Sequence, residues 1–396
     1  MNPDLSRLQP YPFQKLSRLF AGIQPARGLA PVNLSIGEPK HPTPAFILDA
    51  VRSGLDGLAA YPATAGRPSL REAIARWIAR RYGIAAPDAA TQVLPVNGSR
   101  EALFSFAQAI IDRAAREPVV VMPNPFYQIY EGAALLAGAQ PHFIDQRPEN
   151  GFRCDFEAVP PDVWSRTQLL FVCSPGNPTG RVMTLDEWRT VFDLSDRYGF
   201  VIAADECYSE IYFEEGRPPL GALEAAARLG RPSFPRLVVF SSLSKRSNVP
   251  GMRSGFVAGD AQLLASFLLY RTYHGSAMSL TVQSASEAAW NDEAHVVENR
   301  RQYAAKFRAV VDILEPWGAA MPDAAFYLWH RVPGDDTEFT RRLLERFNVT
   351  VLPGSYLARE TVGGNPGAGF LRIALVAPLA ECTEAAARIA QALSET

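Results

Sequence analysis

The sequence predicts an α/β fold in which an open, mostly parallel sheet has helices on both faces and a smaller α+β domain accompanies it. Two observations lead to this prediction. Between residues 90 and 260, short apolar runs alternate with longer amphipathic runs, as in proteins built from strand–helix–strand units. Several apolar runs are too evenly apolar to have a face in water, which is typical of strands buried in a parallel sheet.

Five short apolar runs are assigned to strands of this sheet, at residues 93–96, 119–122, 169–173, 200–204 and 237–240. The amphipathic patterns between them predict helices over residues 99–113, 126–137 and 184–198. A single helical pattern over residues 281–314 precedes three strands, at 325–330, 349–352 and 371–375, and a closing helix at 383–393. We therefore expect an N-terminal arm and the start of the small domain in residues 1–48, the large domain in 49–288 and the small domain in 289–396.

The composition excludes several classes of protein. The 396 residues are 47% hydrophobic and carry a net charge of −2, which argues against binding to nucleic acid or an anionic membrane. No apolar stretch approaches the roughly 20 residues of a membrane span, and we expect no signal peptide. The four cysteines form no C-x-x-C pair, so we expect free thiols in a reducing cytoplasm and no metal site.

Polar residues follow four of the predicted strands at their carboxyl ends. These residues are Asn97-Gly98-Ser99 after the first strand, Asn177 after the third, Asp205 after the fourth, and Ser242 and Lys245 after the fifth. Ligands of parallel sheets bind outside the carboxyl ends of the strands. The sequence therefore predicts a ligand site at this edge of the sheet.

One part of the predicted site suits an anion. Gly98 and Ser99 stand where a helix begins, so free backbone N–H groups point towards a ligand there. Ser242 and Arg253 add a hydroxyl and a guanidinium group. Taken singly, Ser99 is an ordinary helix cap and Arg253 an ordinary surface arginine, but together they favour a phosphate.

Another part suits an aromatic ring. Asp205 closes an apolar strand, where an unpaired carboxylate is costly, so it needs a cation such as a protonated ring nitrogen. A plain helix cap is the alternative for this residue. Asn177, held in a turn by Pro178, and Tyr208 can donate to a ring oxygen, and Tyr127 can cover a ring face. Each of these three, taken alone, is more often a turn or packing residue.

These groups together match pyridoxal 5′-phosphate (PLP), with Lys245 as the lysine that forms a Schiff base with it. A desolvated lysine near a pyridinium and near Arg253 should have its pKa lowered from about 10.4 towards about 7–8. Such a pKa leaves a neutral amine available for proton transfer. The alternative reading of Lys245 is a solvated loop lysine.

Four stretches resemble, in order, the landmarks of the class I/II, fold-type I aminotransferases. They are NPTG (177–180), DECY (205–208), SLSKRSNVPGMRSG (242–255) and FLRIA (370–374). The resemblance covers essentially the whole chain. It implies the fold of the fold-type I PLP-dependent transferases and exchange of an amino group between an amino acid and a 2-oxo acid.

The resemblance also implies a role for each matching residue. Lys245 would attach the cofactor and move the proton at the substrate α-carbon, and Asp205 would keep the ring nitrogen protonated. Asn177 and Tyr208 would hydrogen-bond the ring oxygen, and Tyr127 would stack on the ring. The implied phosphate ligands are Gly98, Ser99, Ser242, Arg253 and the backbone N–H of Arg100.

Three further residues are implied to complete the site. Arg372 would bind the α-carboxylate of the substrate, with the backbone of Gly37 nearby. Tyr61 resembles the tyrosine that reaches the cofactor phosphate of the neighbouring subunit. The resemblance thus implies a homodimer with shared active sites.

The opening of the chain, NPDLSRLQPYPFQKLSRL with VNLSIGEPKHPTP, is similar to that of bacterial N-succinyldiaminopimelate aminotransferases. This implies transfer between glutamate and N-succinyl-2-amino-6-oxopimelate in lysine biosynthesis. Such a long substrate should need cations besides Arg372. Each candidate, taken alone, is more often simply a solvated side chain. The candidates are Lys15, Arg18, Lys40, Arg67, Arg271 and His274.

Three other functions are weighed against this one. The chain could be an aminotransferase of the aspartate or aromatic type, or a PLP-dependent C–S lyase, because fold does not determine reaction type. A non-catalytic PLP-binding regulator would need a DNA-binding head, for which residues 1–45 lack both the length and the basic helix pairs. No G-x-G-x-x-G follows the first strand, which argues against a dinucleotide.

Overall fold

The computed structural model describes residues 1–395, and a seven-stranded sheet forms the centre of the larger lobe. The strands are β1 (Val32–Asn33), β2 (Val93–Val96), β3 (Val119–Asn124), β4 (Gln140–Asp145), β5 (Thr167–Cys173), β6 (Val201–Asp205), β7 (Leu237–Ser242), β8 (Gly255–Gly259), β9 (Tyr327–Arg331), β10 (Val349–Thr350), β11 (Leu352–Pro353) and β12 (Phe370–Ala374).

The α-helices are α1 (Pro12–Leu19), α2 (Ala45–Ser53), α3 (Pro68–Tyr82), α4 (Ser99–Ile110), α5 (Ile129–Leu136), α6 (Pro161–Trp164), α7 (Leu185–Tyr198), α8 (Ala222–Arg228), α9 (Leu243–Arg246), α10 (Ala261–His274), α11 (Leu280–Asn291), α12 (Ala294–Leu314), α13 (Asp336–Phe347) and α14 (Leu379–Ser394). Short 3₁₀ turns cover Pro3–Arg7, Leu55–Ala59, Pro148–Asn150, Pro250–Met252, Glu315–Trp317 and Gly354–Leu357. In the described residues, no helix is both long and apolar enough to cross a bilayer.

The large sheet has the order β2-β8-β7-β6-β5-β3-β4, and every neighbouring pair is parallel except the two that involve β8. The five strands predicted from apolar runs are present, and the prediction of a mostly parallel sheet is confirmed. The sequence analysis missed β4 and the antiparallel strand β8. Strand β8 is antiparallel to both of its neighbours, β2 and β7. It therefore begins at the edge of the sheet where they end, and Gly255 lies opposite both Ser242 and Val96.

Helices cover both faces of this sheet, as predicted. Alternate strand residues such as Val121 and Val239 pack with α3, α7, α8 and α11, whereas Val120 and Phe240 pack with α4, α5 and α10. Strands β3, β6 and β7 are therefore buried on both faces, which explains their mainly apolar sequences, whereas the edge strand β4 is largely half-buried.

The expectation of one continuous helix over residues 281–314 is wrong. The chain forms α11 and α12, with a break at Asp292 and Glu293. The buried guanidinium of Arg246 donates to the carbonyls of Ala289 and Asp292, at 2.8 and 2.9 Å, and to the Glu293 carboxylate. It thus satisfies carbonyls that the end of α11 leaves without helical partners.

The smaller lobe is α+β. An antiparallel sheet of order β11-β12-β9 packs with α12, α13 and α14. The short strand β1 pairs in parallel with β10, so the N-terminal segment joins the C-terminal lobe. The domain limits after residues 48 and 288 stay a prediction.

Candidate active site

A cavity of about 510 Å³ lies at the edge of the large sheet where the parallel strands end. Most residues predicted for the site line its wall, namely Gly37, Ser99, Arg100, Tyr127, Asn177, Asp205, Tyr208, Ser242, Lys245, Arg253 and Arg372. Gly98 lies directly behind this wall, under Arg253. Tyr61 is fully exposed on the surface and does not reach the cavity of its own chain.

The first part of the cavity presents donors suited to an anion. Gly98 caps α4 with a φ of 84°, and a β-carbon at this position would overlap the guanidinium of Arg253. Ser242 caps α9 and accepts a hydrogen bond of 3.0 Å from the backbone N–H of Ser244. Arg253 precedes β8 and reaches this place because that strand is antiparallel. The positive φ of Gly98 favours glycine where these two segments meet.

The side chain of Arg100 is also directed to the cavity, whereas the family resemblance implied only its backbone N–H. Its Nε donates to the Tyr127 hydroxyl at 2.6 Å and its Nη2 to the Tyr11 hydroxyl at 3.4 Å. Burial raises the pKa of Tyr127, so its hydroxyl stays protonated. Arg100 thus links the residue predicted to stack on a ring with the N-terminal segment at the cavity mouth.

The carboxylate of Asp205 is buried at the end of β6. Its Oδ2 accepts from the Tyr130 hydroxyl at 2.6 Å, and its Oδ1 accepts from the backbone N–H of Cys207 at 3.3 Å. Burial raises the pKa of this carboxyl group above its ordinary value. Within residues 1–395 no lysine, arginine or histidine forms an ion pair with Asp205, so a cationic ligand group would fit there.

The amine of Lys245 also lines the cavity. Its Nζ donates to the carbonyl of Gly37 at 2.8 Å and lies 5.4 Å from the centre of the Phe326 ring. The pKa of the amine is lowered to about 8, mainly by burial. The guanidinium groups of Arg372 and Arg253 also lower this pKa, whereas Cys207 and Glu38 raise it. The direction is the one that the sequence predicts, and desolvation is its main cause.

Arg372 is placed to bind a carboxylate. Its Nη1 donates to the Asn177 side-chain oxygen at 3.1 Å, and its Nη2 donates to the Ser35 carbonyl at 2.8 Å. Its Nε is buried and has no hydrogen-bond partner among the described residues. The Tyr327 ring centre lies 4.4 Å from the guanidinium carbon, so this ring covers one face of the guanidinium.

The sequence analysis missed Tyr11, described above, and two further tyrosines of the site. Tyr327, on β9, exchanges a hydrogen bond of 3.0 Å with the Tyr208 hydroxyl, and a β-carbon at Gly37 would overlap its hydroxyl. Tyr130 stacks on Phe171 while it donates to Asp205. Tyr130 is three residues from Tyr127 at the start of one helix, which is the only signal that could have indicated it.

None of the six candidate cations for a long substrate lines the cavity among the described residues. Arg271 is fully buried, donates to Glu101 at 2.6 Å and to the Ser276 carbonyl at 2.7 Å, and is therefore wrong as a substrate ligand. Arg67 donates to Ser284 at 2.9 Å, and the His274 ring stacks on Tyr270. Three candidates remain. Lys15 is half-buried, and Arg18 and Lys40 are exposed.

The family model for aminotransferase class I and II matches residues 30–389. The chain belongs to the class I and II aminotransferases. This aminotransferase is 33% identical to the LL-diaminopimelate aminotransferase of Desulforudis audaxviator over 393 residues, which cover 97% of this chain and 96% of that relative. It is 31% identical to the enzyme of the same name from Aquifex aeolicus, over 97% of both chains.

Solved structures support the same fold. An aminotransferase from Neisseria meningitidis is 55% identical and superposes with a TM-score of 0.96, covering 99% of this chain and 100% of its own. The probable N-succinyldiaminopimelate aminotransferase of Thermus thermophilus is 29% identical, with a TM-score of 0.85 and coverage of 96% and 100%.

Aminotransferases of this class depend on PLP, and the cavity residues fit that cofactor. The buried carboxylate of Asp205 forms no ion pair with a side chain of the described residues, Gly98 and Arg253 form a donor-lined cradle, and Lys245 supplies a desolvated amine. When bound, PLP supplies an electron-withdrawing ring that stabilises negative charge on the substrate α-carbon.

Proposed function

We propose that this aminotransferase transfers an amino group between glutamate and N-succinyl-2-amino-6-oxopimelate, in the diaminopimelate route to lysine. The observation that carries the proposal is the buried fork of Arg372, whose unpartnered Nε and bond to Asn177 suit the α-carboxylate that these substrates share. The names of the relatives from Desulforudis audaxviator and Thermus thermophilus support the diaminopimelate skeleton.

In this proposal the residues that line the cavity have three separate roles. Arg372 and Asn177 bind the α-carboxylate and so orient the α-carbon. Lys245, when its amine is neutral, takes the proton from the α-carbon in the half-reaction that removes the amino group. In the half-reaction that adds the amino group to the 2-oxo acid, it gives a proton to the α-carbon. Asp205 holds a proton on the ring nitrogen of the cofactor, and its own burial keeps water away from that pair.

We also propose that the enzyme is a homodimer in the cytoplasm and that Tyr61 contacts the cofactor phosphate of the partner. Tyr61 is fully exposed, and Leu58, in the preceding 3₁₀ turn, is 72% exposed. On α10, Leu269 and Tyr273 are 63% and 88% exposed. Large apolar side chains of this kind are typical of surfaces that another chain covers. The four cysteines are free thiols, which suits a reducing compartment.

A second candidate is the same transfer without the succinyl group. The name LL-diaminopimelate aminotransferase, shared by the relatives at 31% and 33% identity, favours it. Glu38 also lines the cavity and offers a carboxylate to the second ammonium group that the free diamine carries and the succinylated substrate lacks.

The test is a substrate panel with glutamate and 2-oxoglutarate as the common pair. It includes the succinylated substrate, LL-diaminopimelate, aspartate and phenylalanine. We expect kcat/KM for the succinylated substrate to exceed that for each other compound by about tenfold or more, a difference of about 1.4 kcal/mol. A preference for LL-diaminopimelate would select the second candidate. Release of pyruvate or ammonia without a 2-oxo acid acceptor would instead identify a lyase.

A further inference from the structure

Four polar side chains form a hydrogen-bonded group that reaches the backbone of Lys245 through one member, Asn299. This group, the Asn299 network, consists of His41, Asn248, Asn299 and Lys306. No member lines the cavity among the described residues, so none can bind cofactor or substrate directly. Asn299 and Lys306 are nearly completely buried, at 2% and 3% exposure.

Asn299 donates to the backbone at the catalytic lysine. Its Nδ2 lies 3.3 Å from the Lys245 carbonyl oxygen and 3.4 Å from the Arg246 carbonyl oxygen. Both carbonyls end α9, a helix of only four residues. The residue four positions after Arg246 is Pro250, which has no N–H to continue the helical pattern. A side chain from another element therefore supplies the missing donor.

The orientation of Asn299 is itself held by two partners. Its Oδ1 accepts from Asn248 Nδ2 at 3.1 Å and lies 2.7 Å from His41 Nδ1. Because an amide oxygen only accepts, His41 carries its proton on Nδ1 and leaves Nε2 as an acceptor. Lys306 Nζ lies 2.6 Å from that Nε2 and also donates to the Val376 carbonyl at 3.2 Å. Every bond of the network thus has a consistent direction.

The Asn299 network reduces the stability of the folded protein. Burial lowers the pKa of Lys306 to about 8, and no carboxylate forms an ion pair with it among residues 1–395. An apolar contact at this place would be the more stable choice, because a buried amine has lost its hydration. A polar network that costs stability is instead expected where geometry matters to function.

The elements that carry the network also hold the other end of Lys245. His41 is four residues after Gly37, whose carbonyl accepts from the Lys245 amine. Asn299 and Lys306 are seven residues apart on α12, two turns along one face. The amine and the backbone carbonyl of Lys245 are therefore fixed from the same loop and helix.

We propose that Asn299 is a positioning residue for the Lys245 amine, and that His41 and Lys306 hold Asn299 in the orientation this requires. The proposal rests on the role of Lys245 given under the proposed function, but not on the identity of the substrate. Loss of the Asn299 amide frees the Lys245 backbone, so the amine spends less time where proton transfer occurs.

The first experiment compares Asn299→Leu with the matched control Gln283→Leu in the holoenzyme. Gln283 is also a buried helix amide, which donates to the Met278 carbonyl at 2.8 Å and accepts from the Arg67 N–H, but it has no link to Lys245. We expect Asn299→Leu to lower kcat about tenfold or more while KM changes less than about threefold. The pH midpoint of the absorption band of the lysine-bound cofactor should also move by about 0.5 or more in Asn299→Leu only.

A second pair of variants keeps the test informative if Asn299→Leu does not fold. In His41→Asn the amide N–H can still donate to Asn299, so we expect kcat and the pH midpoint to stay near those of the parent enzyme. In His41→Phe the shorter of the two bonds to the Asn299 oxygen is lost and only Asn248 still donates to it, so both should change in the same direction as in Asn299→Leu. Equal behaviour of the two His41 variants, or of Asn299→Leu and Gln283→Leu, would overturn the proposal.

Borohydride reduction and peptide mapping separate this inference from the proposed function. A label on Lys245 in the parent and in each variant is the expected result. A label elsewhere in the parent enzyme removes the role of Lys245 and with it both proposals. A label on Lys245 with no change in kcat or midpoint removes only the role of Asn299.

Discussion

Lys245 donates a hydrogen bond of 2.8 Å from its amine to the backbone carbonyl of Gly37, a residue 208 positions earlier in the chain. Two residues before Gly37, the Ser35 carbonyl accepts from Arg372 at 2.8 Å. One short segment therefore contacts both the proposed proton carrier and the proposed carboxylate ligand. Gly37 has no side chain because the Tyr327 hydroxyl occupies the space of a β-carbon. The backbone of residues 35–37 therefore fixes the spacing between the Lys245 amine and the Arg372 guanidinium.

Replacing Lys245 by alanine should abolish covalent attachment of the cofactor, because no other amine lines the cavity among the described residues. Borohydride reduction followed by mass spectrometry measures this attachment. Lys40→Ala, which removes an exposed lysine three residues from Gly37, is the control and should keep the label. Full turnover by Lys245→Ala would exclude this residue from the reaction.

Asp205→Asn should lower kcat by about 100-fold or more with little change in KM, because the neutral amide no longer stabilises a proton on the ring nitrogen. Glu206→Gln is a matched control on the next residue. That carboxyl group is also buried, and burial raises its pKa to about 7, but it accepts from Tyr82 and the Ala222 N–H outside the cavity. If Asp205→Asn raised only KM, the role assigned to Asp205 would be incorrect.

Arg372→Lys keeps the positive charge but loses the planar fork that suits a carboxylate. We expect KM for glutamate to rise about tenfold or more, since two parallel hydrogen bonds become one. Steady-state kinetics at saturating 2-oxo acid measures this change. Arg331→Lys, at an exposed position on β9, should leave KM as it is. An unchanged KM in Arg372→Lys would place the α-carboxylate elsewhere.

Lys245 also makes the stability of the protein depend on pH. Its folded pKa of about 8 lies below the ordinary 10.5, so between these values the unfolded chain binds more protons and the free energy of unfolding rises with pH. Below pH 8 the Lys245 amine is charged in the folded state, so the full cost of burying this charge lowers the free energy of unfolding. In protein prepared without cofactor, Lys245→Met should therefore be more stable at pH 7 by about 3 kcal/mol, at about 1.4 kcal/mol per pKa unit.

Urea unfolding of the two proteins at pH 7, 8, 9 and 10 measures this difference. We expect it to shrink steadily above pH 8 and to approach zero near the ordinary pKa of lysine, 10.5. A stability difference that stays constant over this range would show that Lys245 is not desolvated in the folded protein.

The sheet and most of the cavity could be predicted from the sequence because the relevant signals are local. A strand buried on both faces is evenly apolar, and a polar residue directly after it is conspicuous, as with Asp205 after β6. The strand β8 escaped prediction because glycine stands at both of its ends, where Gly255 and Gly259 leave room for backbone carbonyls of the neighbouring strand β7.

The remaining errors concern contacts that only the folded chain creates. The break in the helical pattern of residues 281–314 has only a weak local signal, the Asp292 side chain that accepts from the His295 N–H at 3.1 Å, and it is stabilised by Arg246 from another element. Arg271 reads as a surface cation until its pairing with Glu101 is seen. Tyr327 enters the site only because β9 belongs to the lobe that faces the large sheet. Long-range pairing of this kind leaves no periodic pattern in a single sequence.

The proposed homodimer with shared active sites predicts that two inactive variants should complement each other. Tyr61→Ala and Lys245→Ala, refolded or exchanged together, form hybrid dimers in which one site keeps both native residues only if Tyr61 acts across the interface. Random pairing makes half of the dimers hybrid, so activity should recover to about a quarter of that of the parent enzyme. Asp205→Asn mixed with Lys245→Ala is the control, because these two residues line the cavity of one chain and no hybrid site is intact. Recovery no greater than in that control would place Tyr61 outside the partner's site. Tyr61 is fully exposed, and if it acted only in its own chain it could not restore activity to the site of the other chain.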